Sequence, residues 1–398
     1  MNVLIMTLGK GRKEDSNRYQ TACYQFSDGN KHVTSFFGLA LFRWLQEQAC
    51  RIDRVVILGT TGSSWDAILE LCGEGGTEVD ELYYQVASQV ENVAVTQELL
   101  GKIAELSSTI FPQTEVVCRL IPSATDCEGQ YEILSTIANH VPEGAHLWMD
   151  LTHGFRHLPL LELMSGFNLE EAKGIELKGL FYGIFEQTKN GITPAIELPF
   201  ARELSRWTRA IHAVDHGQLG ALIGLSGMEA FDADLKKLLL YEQLNQLSNA
   251  RKAAKNILSM LEKPLPSHAG ELFRKKLRTH FEWSHGQTYA IRQLQSAEKA
   301  ISQRDYIHGV ILMNEALISN AIPQGSDTLR FSVREKAAGT YCKTDDHHLL
   351  RILRNTLAHG TRPQGKQAAK IMHLMDNPEH FHQEMLRLLR IVKKEWDA

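Results

Sequence analysis

The sequence predicts two folds in series: a Rossmann-like α/β domain with a parallel sheet over residues 1–199, then an all-α domain over residues 200–398. Up to Pro199, short apolar runs alternate with segments of helical periodicity, the pattern of a mostly parallel sheet covered on both faces. From Phe200 onward the periodicity is purely helical, with no convincing strand. At 398 residues the chain also exceeds one ordinary hydrophobic core, so two domains are the default.

Taken in order, residues 2–8 (NVLIMTL) form a near-continuous apolar run ending at Gly9, as a buried parallel strand does. Residues 19–26 read as extended, followed by a turn around Asp28-Gly29-Asn30. Phe37, Leu41, Leu45 and Ala49 recur every fourth residue and predict a helix over about 34–49. Strand 54–60 runs into Thr61-Gly62-Ser63-Ser64 and a helix from near Trp65. Residues 93–110 read as helix, 114–121 as strand, 127–140 as helix and 145–151 as strand. A helix to about Ala172 follows, and 176–185 with the strand after Gly191 closes the sheet as a hairpin. In the second half, helical spacing covers 200–216, 233–262, 269–284, 287–302 and 304–321. A loop is expected from Pro323 to Asp345, then a helix from the His347-His348 pair to Gly360, and one or two helices over 365–396.

Composition narrows the class. The chain is 43% apolar and 23% charged, as expected of a soluble globular protein, and no apolar stretch reaches the ~20 residues of a membrane span. The first residues, MNVLIMTLGKGRK, carry their basic groups after the apolar run, the reverse of a secretory signal. Six cysteines without a CxxC pair suit a reducing cytoplasm. A formal net charge of -4 gives no global attraction to duplex DNA, so nucleic-acid contacts must be local and favour single strands or small nucleotides.

Open parallel sheets bind ligands at the carboxyl ends of their strands. Three turns there carry glycine and hydroxyl residues: Gly9-Lys10-Gly11, Thr61-Gly62-Ser63-Ser64, and Thr152-His153-Gly154-Phe155-Arg156. Glycines admit a phosphodiester close to the backbone, the following helices offer free N–H groups, and Lys10 and Arg156 add positive charge. Any α/β domain needs small residues in such turns, and Asp150 suits a role as the organiser of its own loop. The segment GKG is no dinucleotide fingerprint and no P-loop is present, which argues against NAD or ATP.

The run LGKG, the extended YQTACYQF, the helix TSFFGLALFRWL, the turn GTTGSSWD and above all DLTHGFRHLPLL resemble the CARF domain of CRISPR-associated proteins, in the family's order and over about 200 residues. The resemblance implies a sensor of cyclic oligoadenylates, the ring sitting on the two-fold axis of a homodimer and touching the three turns. Four adenosines are favoured over six on the same ground, as an allosteric activator rather than a cofactor.

The second candidate site lies at DDHHLLRILRNTLAHGTRP. Asn355 and His359 are four apart, on one helix face, while Arg354 and His359 are separated by roughly 140°. Histidine moves protons near neutral pH, and arginine stabilises charge building on phosphorus. Arginine followed by four to six residues and a histidine occurs five times in the chain, so spacing alone selects nothing. Asn355 directly after the arginine, Ala358 and the terminating Gly360 make the composite RNTLAHG, which resembles the motif of HEPN ribonucleases. The segment YIHGVILMNEALIS resembles the HEPN helix beside that motif, with Glu315 at its polar position. The combined resemblance implies a metal-independent endoribonuclease of type III CRISPR antiviral defence cutting single-stranded RNA, with Arg354, Asn355 and His359 catalytic.

Plainer roles are a helix-end histidine favoured by the dipole and an arginine paired with Asp345 or Asp346. The His347-His348 and His153/His157 pairs lack a companion carboxylate set for a metal, and Trp207, Trp283 and Trp396 suit core or interface positions. Two other functions compete. A ligand-gated transcription regulator requires a winged helix-turn-helix. A ring nuclease would use Thr61, Ser63 and Lys10. A restriction-type DNA nuclease has no matching acidic constellation.

Overall fold

A computed structural model describes residues 1–15, 18–73 and 77–396. The chain divides into two compact units, Met1–Arg202 and Glu203–Ala398.

Unit 1 is built on one eight-stranded sheet in the order β3-β2-β8-β7-β6-β1-β4-β5. Its strands are β1 (Asn2–Leu8), β2 (Ala22–Gln25), β3 (Lys31–Thr34), β4 (Arg54–Gly59), β5 (Glu115–Leu120), β6 (His146–Asp150), β7 (Glu176–Gly183) and β8 (Ile192–Glu197). The core β7-β6-β1-β4-β5 is parallel, whereas β7–β8 and β2–β3 are antiparallel. The sheet is therefore mostly parallel, with β7 and β8 forming the expected antiparallel hairpin and β2–β3 a second antiparallel pair. The run 2–8 is a central strand, buried on both faces from Val3 to Leu8.

Helices α1 (Phe37–Glu47), α2 (Asp66–Cys72), α3 (Thr77–Glu91) and α4 (Gln97–Leu106) precede β5, and α5 (Cys127–His140) and α6 (Leu158–Lys173) follow it. Two apolar clusters fill the sheet's faces, one centred on α1 and Trp65, the other on α5, α6 and Leu147. Thr96 and Asp126 cap α4 and α5 through the amides of Leu99 and Gly129. Three expectations change. The extended segment shrinks to β2, the strand β3 follows the expected turn and reaches Thr34 where a helix start was expected, and α3 adds a helix that had not been anticipated.

The helix α7 (Pro199–Asp215) carries the chain across the division, and unit 2 continues with α8 (Asp232–Gln243), α9 (Leu247–Met260), α10 (His268–Glu271) and α11 (Arg274–Phe281). Next come α12 (Tyr289–Ser302), α13 (Tyr306–Asn320), α14 (Phe331–Ala338), α15 (Asp345–His359), α16 (Ala368–Met375) and α17 (Pro378–Lys394). No strand occurs among the described residues of this unit. The single helix expected over 233–262 is broken at Asn245, which adopts a left-handed φ of 55°. The segment 269–284 likewise divides into α10 and α11. The loop expected from 323 to 345 contains α14. Trp207 and Trp283 are core residues, and Trp396 packs against the same core.

Candidate functional site

The parallel order β6-β1-β4 brings three strand ends side by side, so the three turns meet. Gly9 approaches the third turn so closely that a Cβ there would lie 2.6 Å from the Gly154 nitrogen. Gly154 itself has a φ of +104°, which disfavours any side chain. The Ser64 amide donates to the Gly9 carbonyl at 3.0 Å, and the Ser64 hydroxyl accepts from the Gly11 amide at 2.9 Å. Ser63 accepts from the Thr60 amide at 2.9 Å. Both serine side chains are buried and engaged with the backbone; their work is to shape the turns. Thr61 and Gly62 are half-buried, and Lys10, Gly11, Phe155 and Arg156 are exposed at the rim.

Asp150 organises its loop as expected, accepting from the Thr152 amide at 2.8 Å, while the Thr152 hydroxyl accepts from Gly183 at 2.9 Å. His153 accepts the Phe37 amide on Nε2 at 3.3 Å, which requires a neutral ring there, and desolvation lowers its pKa to about 4. His157 instead bonds the Ser123 carbonyl through Nε2 at 2.7 Å.

Beneath the turns lies a group the sequence does not announce. Glu162 on α6 is fully buried and bonded to the Thr7 hydroxyl at the end of β1. Burial pushes its pKa up to about 8 and that of the fully buried Asp150 up to about 7. Glu162 Oε2 and Asp150 Oδ2 have no hydrogen-bond partner, consistent with protonated, neutral carboxyls. Two signals were available: Thr7 interrupts the apolar run NVLIMTL, and Glu162 interrupts LPLLELM.

In unit 2, Thr344 caps α15 through the His347 amide at 3.2 Å, Asp345 and Asp346 occupy its first turn, and the helix ends before Gly360. Arg354 and Asn355 line a cleft of about 360 Å³ between α13, α14 and α15. Arg354 does not pair with Asp345 or Asp346; its Nη1 donates to Asn355 Oδ1 at 3.0 Å, and Asp346 pairs with Arg387. Its Nε is buried without a partner. His359 stands in the last turn of α15, exposed and outside the residues that line the cleft. Glu315 does face the cleft, ion-paired with Arg334. Arg334, Arg351 and Phe331 also line it, and none was singled out by the sequence. Of the His347-His348 pair, His347 is buried and bonds Glu395 at 2.6 Å, while His348 contacts Cys342 at 3.2 Å. No group of three potential metal-ligating side chains occurs among the described residues.

An open α/β domain with glycine-lined turns at its strand ends, followed by a helical unit with an Arg-Asn cleft, defines a two-unit protein that joins a Rossmann-like sheet to a helical module. Residues 3–185 match the family described as CRISPR system endoribonuclease Csx1, CARF domain. The CRISPR-associated protein MJ1674 of Methanocaldococcus jannaschii is 25% identical over 287 residues, which cover 66% of this chain and 44% of that protein. The chain thus spans less than half the length of that curated relative. The Enterococcus italicus Csm6 structure bound to cyclic hexa-2'-fluoro-hexa-dAMP aligns over 99% of this chain and 93% of its own, at 10% identity and a TM-score of 0.37. Unit 1 thus matches a CARF-domain family over residues 3–185, and the chain is similar to a CRISPR-associated protein over 66% of its length. No helix among the described residues is long and apolar enough to cross a membrane.

Proposed function

We propose that the chain is a cyclic oligoadenylate-activated endoribonuclease of type III CRISPR defence, working as a homodimer on single-stranded RNA without a metal. The observation that carries the proposal is the Arg354–Asn355 wall of an open cleft in the helical unit that follows a CARF domain. In this scheme the 2'-hydroxyl of the RNA attacks the adjacent phosphorus, the new O2'–P bond forms as the P–O5' bond breaks, and a 2',3'-cyclic phosphate and a 5'-hydroxyl result. His359 transfers the proton, Arg354 neutralises the developing phosphorane charge, and Asn355 positions Arg354 through the bond they share.

The activator, with cyclic tetra-adenylate favoured over the hexa-adenylate, lies on the edge formed by Gly9, Lys10, Gly11, Thr61 to Ser64 and Thr152 to Arg156. Its phosphates meet the exposed Lys10 and Arg156. Dimerisation is supported by α6, which buries one face against the sheet yet also exposes Leu160 and Met164, with Phe155 just before it. A two-fold ring then receives the same donors from each copy. Ring binding acts on RNA cleavage only through its different affinity for two arrangements of the dimer.

Neither rival gains support. The described residues of unit 2 offer no strand for a winged helix. The Ser63 hydroxyl, which a ring nuclease would need, is buried and occupied by a backbone amide.

The test is cleavage of labelled single-stranded RNA in EDTA, with and without cyclic tetra- or hexa-adenylate. Ring-dependent cleavage is expected, and an equal rate without the ring overturns the gating.

A further inference from the structure

We infer that the cleft beside Arg354 is a nucleotide subsite in which Phe331 stacks a base of the single-stranded RNA while Arg351 and Arg354 hold its phosphate. The inference rests on the nuclease reading above and deepens it by naming what the cleft holds.

Phe331 opens α14 with 79% of its surface exposed, yet it lines the same cleft as Arg351, Arg354 and Asn355. A large aromatic face left in water beside guanidinium groups is the composition that single-stranded RNA recognises: the base covers the ring and the phosphate meets the cation. The volume, about 360 Å³, is near the lower bound of about 300 Å³ for small-molecule sites, room for one nucleotide rather than a folded partner.

The walls are fixed in advance. Arg334 donates to Ser319 Oγ at 3.1 Å and to the Thr328 carbonyl at 2.9 Å and pairs with Glu315, so its charge is spent on structure. The Tyr341 hydroxyl bonds Asn314, and both residues line the cleft. Arg354 differs: it lines the cleft, its guanidinium bonds the neutral Asn355 Oδ1, and it pairs with no carboxylate among the described residues, so its charge is left for a phosphate. Arg351 is exposed at the rim. Stacking reads any base, so the subsite confers affinity with little sequence preference.

The experiment measures binding of a labelled single-stranded RNA to cyclic tetra-adenylate-loaded His359→Ala protein, alone and combined with Phe331→Ala or Phe331→Trp. Phe331→Ala is expected to weaken binding about tenfold without changing the slope of affinity against salt, because stacking releases no counterions. Phe331→Trp is expected to retain the affinity, with the emission of the introduced indole quenched on RNA addition. Unchanged affinity in Phe331→Ala overturns the subsite, as does an indole emission in Phe331→Trp that is indifferent to RNA. A change of oligomeric mass in Phe331→Ala, read by light scattering, also overturns it and makes the ring an interface residue. The nuclease reading fails separately, if His359→Ala itself still cuts the RNA.

Discussion

Replacing Glu162 by glutamine should remove a large part of the pH dependence of unit 1. Glu162 sits fully buried beneath the three glycine-bearing turns with its pKa pushed from 4.5 to about 8. The folded carboxyl therefore keeps its proton while the unfolded one releases it. The stability this provides is complete below about pH 4.5 and is lost as the pH climbs towards about 8. The slope is about 1.4 kcal/mol per pH unit inside that window, so about 2–3 kcal/mol is lost between about pH 5.5 and about pH 7.5. Asp150, raised to about 7, adds a fall of the same sign that Glu162→Gln leaves in place. Glutamine accepts the Thr7 hydroxyl through Oε1 but leaves its buried amide hydrogens unsatisfied, at a cost of about 1–3 kcal/mol at every pH. The offset is thus uninformative and the slope carries the test. Urea denaturation at the two pH values, with pulse-labelling mass spectrometry following the β1 peptide, measures it. Parallel losses in wild type and Glu162→Gln would refute a neutral carboxyl at this position.

Further outcomes follow from single contacts. Gly9→Ala places a methyl 2.6 Å from the Gly154 nitrogen, and overpacking of about 1–3 kcal/mol lowers ring affinity about tenfold or more; calorimetric affinity equal to wild type contradicts the shared edge. Arg354→Lys keeps the charge but loses the planar donor set that meets Asn355, so kcat falls about 100-fold with KM little changed, measured as initial cleavage rates with the ring saturating. Thr344→Ala removes the cap of α15 and destabilises unit 2 by about 1 kcal/mol in urea, with ring affinity unaltered.

The legible parts of the fold were those where burial is continuous. β1 is buried from Val3 through Leu8, and its sequence is correspondingly one apolar run. The edge strand β3, KHVT, has three of its four side chains outside the core and therefore no apolar pattern to read. α14, FSVREKAA, buries only Ala337, and without an apolar stripe it passed for loop. The break at Asn245 escaped because apolar spacing continues across it while a single backbone torsion turns the chain.

The meeting of the three turns was legible because glycine and hydroxyl residues cluster at strand ends, where topology brings them together. Glu162 was legible only as an acid interrupting LPLLELM, a weak signal because an acid on a helix is ordinarily a solvated one; its full burial against β1 shows only in the fold. The cleft was half legible: Arg354 and Asn355 belong to a recognisable motif, whereas Phe331 and Arg334 come from the segment expected to be loop. His359 is exposed in the last turn of α15 and is not among the residues that line the cleft, although it shares that helix with Arg354 and Asn355.

The most direct measurement takes one variant through both halves of the molecule. His359→Ala should bind cyclic tetra-adenylate as tightly as wild type and, with the ring bound and EDTA present, leave RNA intact. If that variant degrades RNA at the wild-type rate, a helical unit acting as a ring-gated ribonuclease through His359 is contradicted.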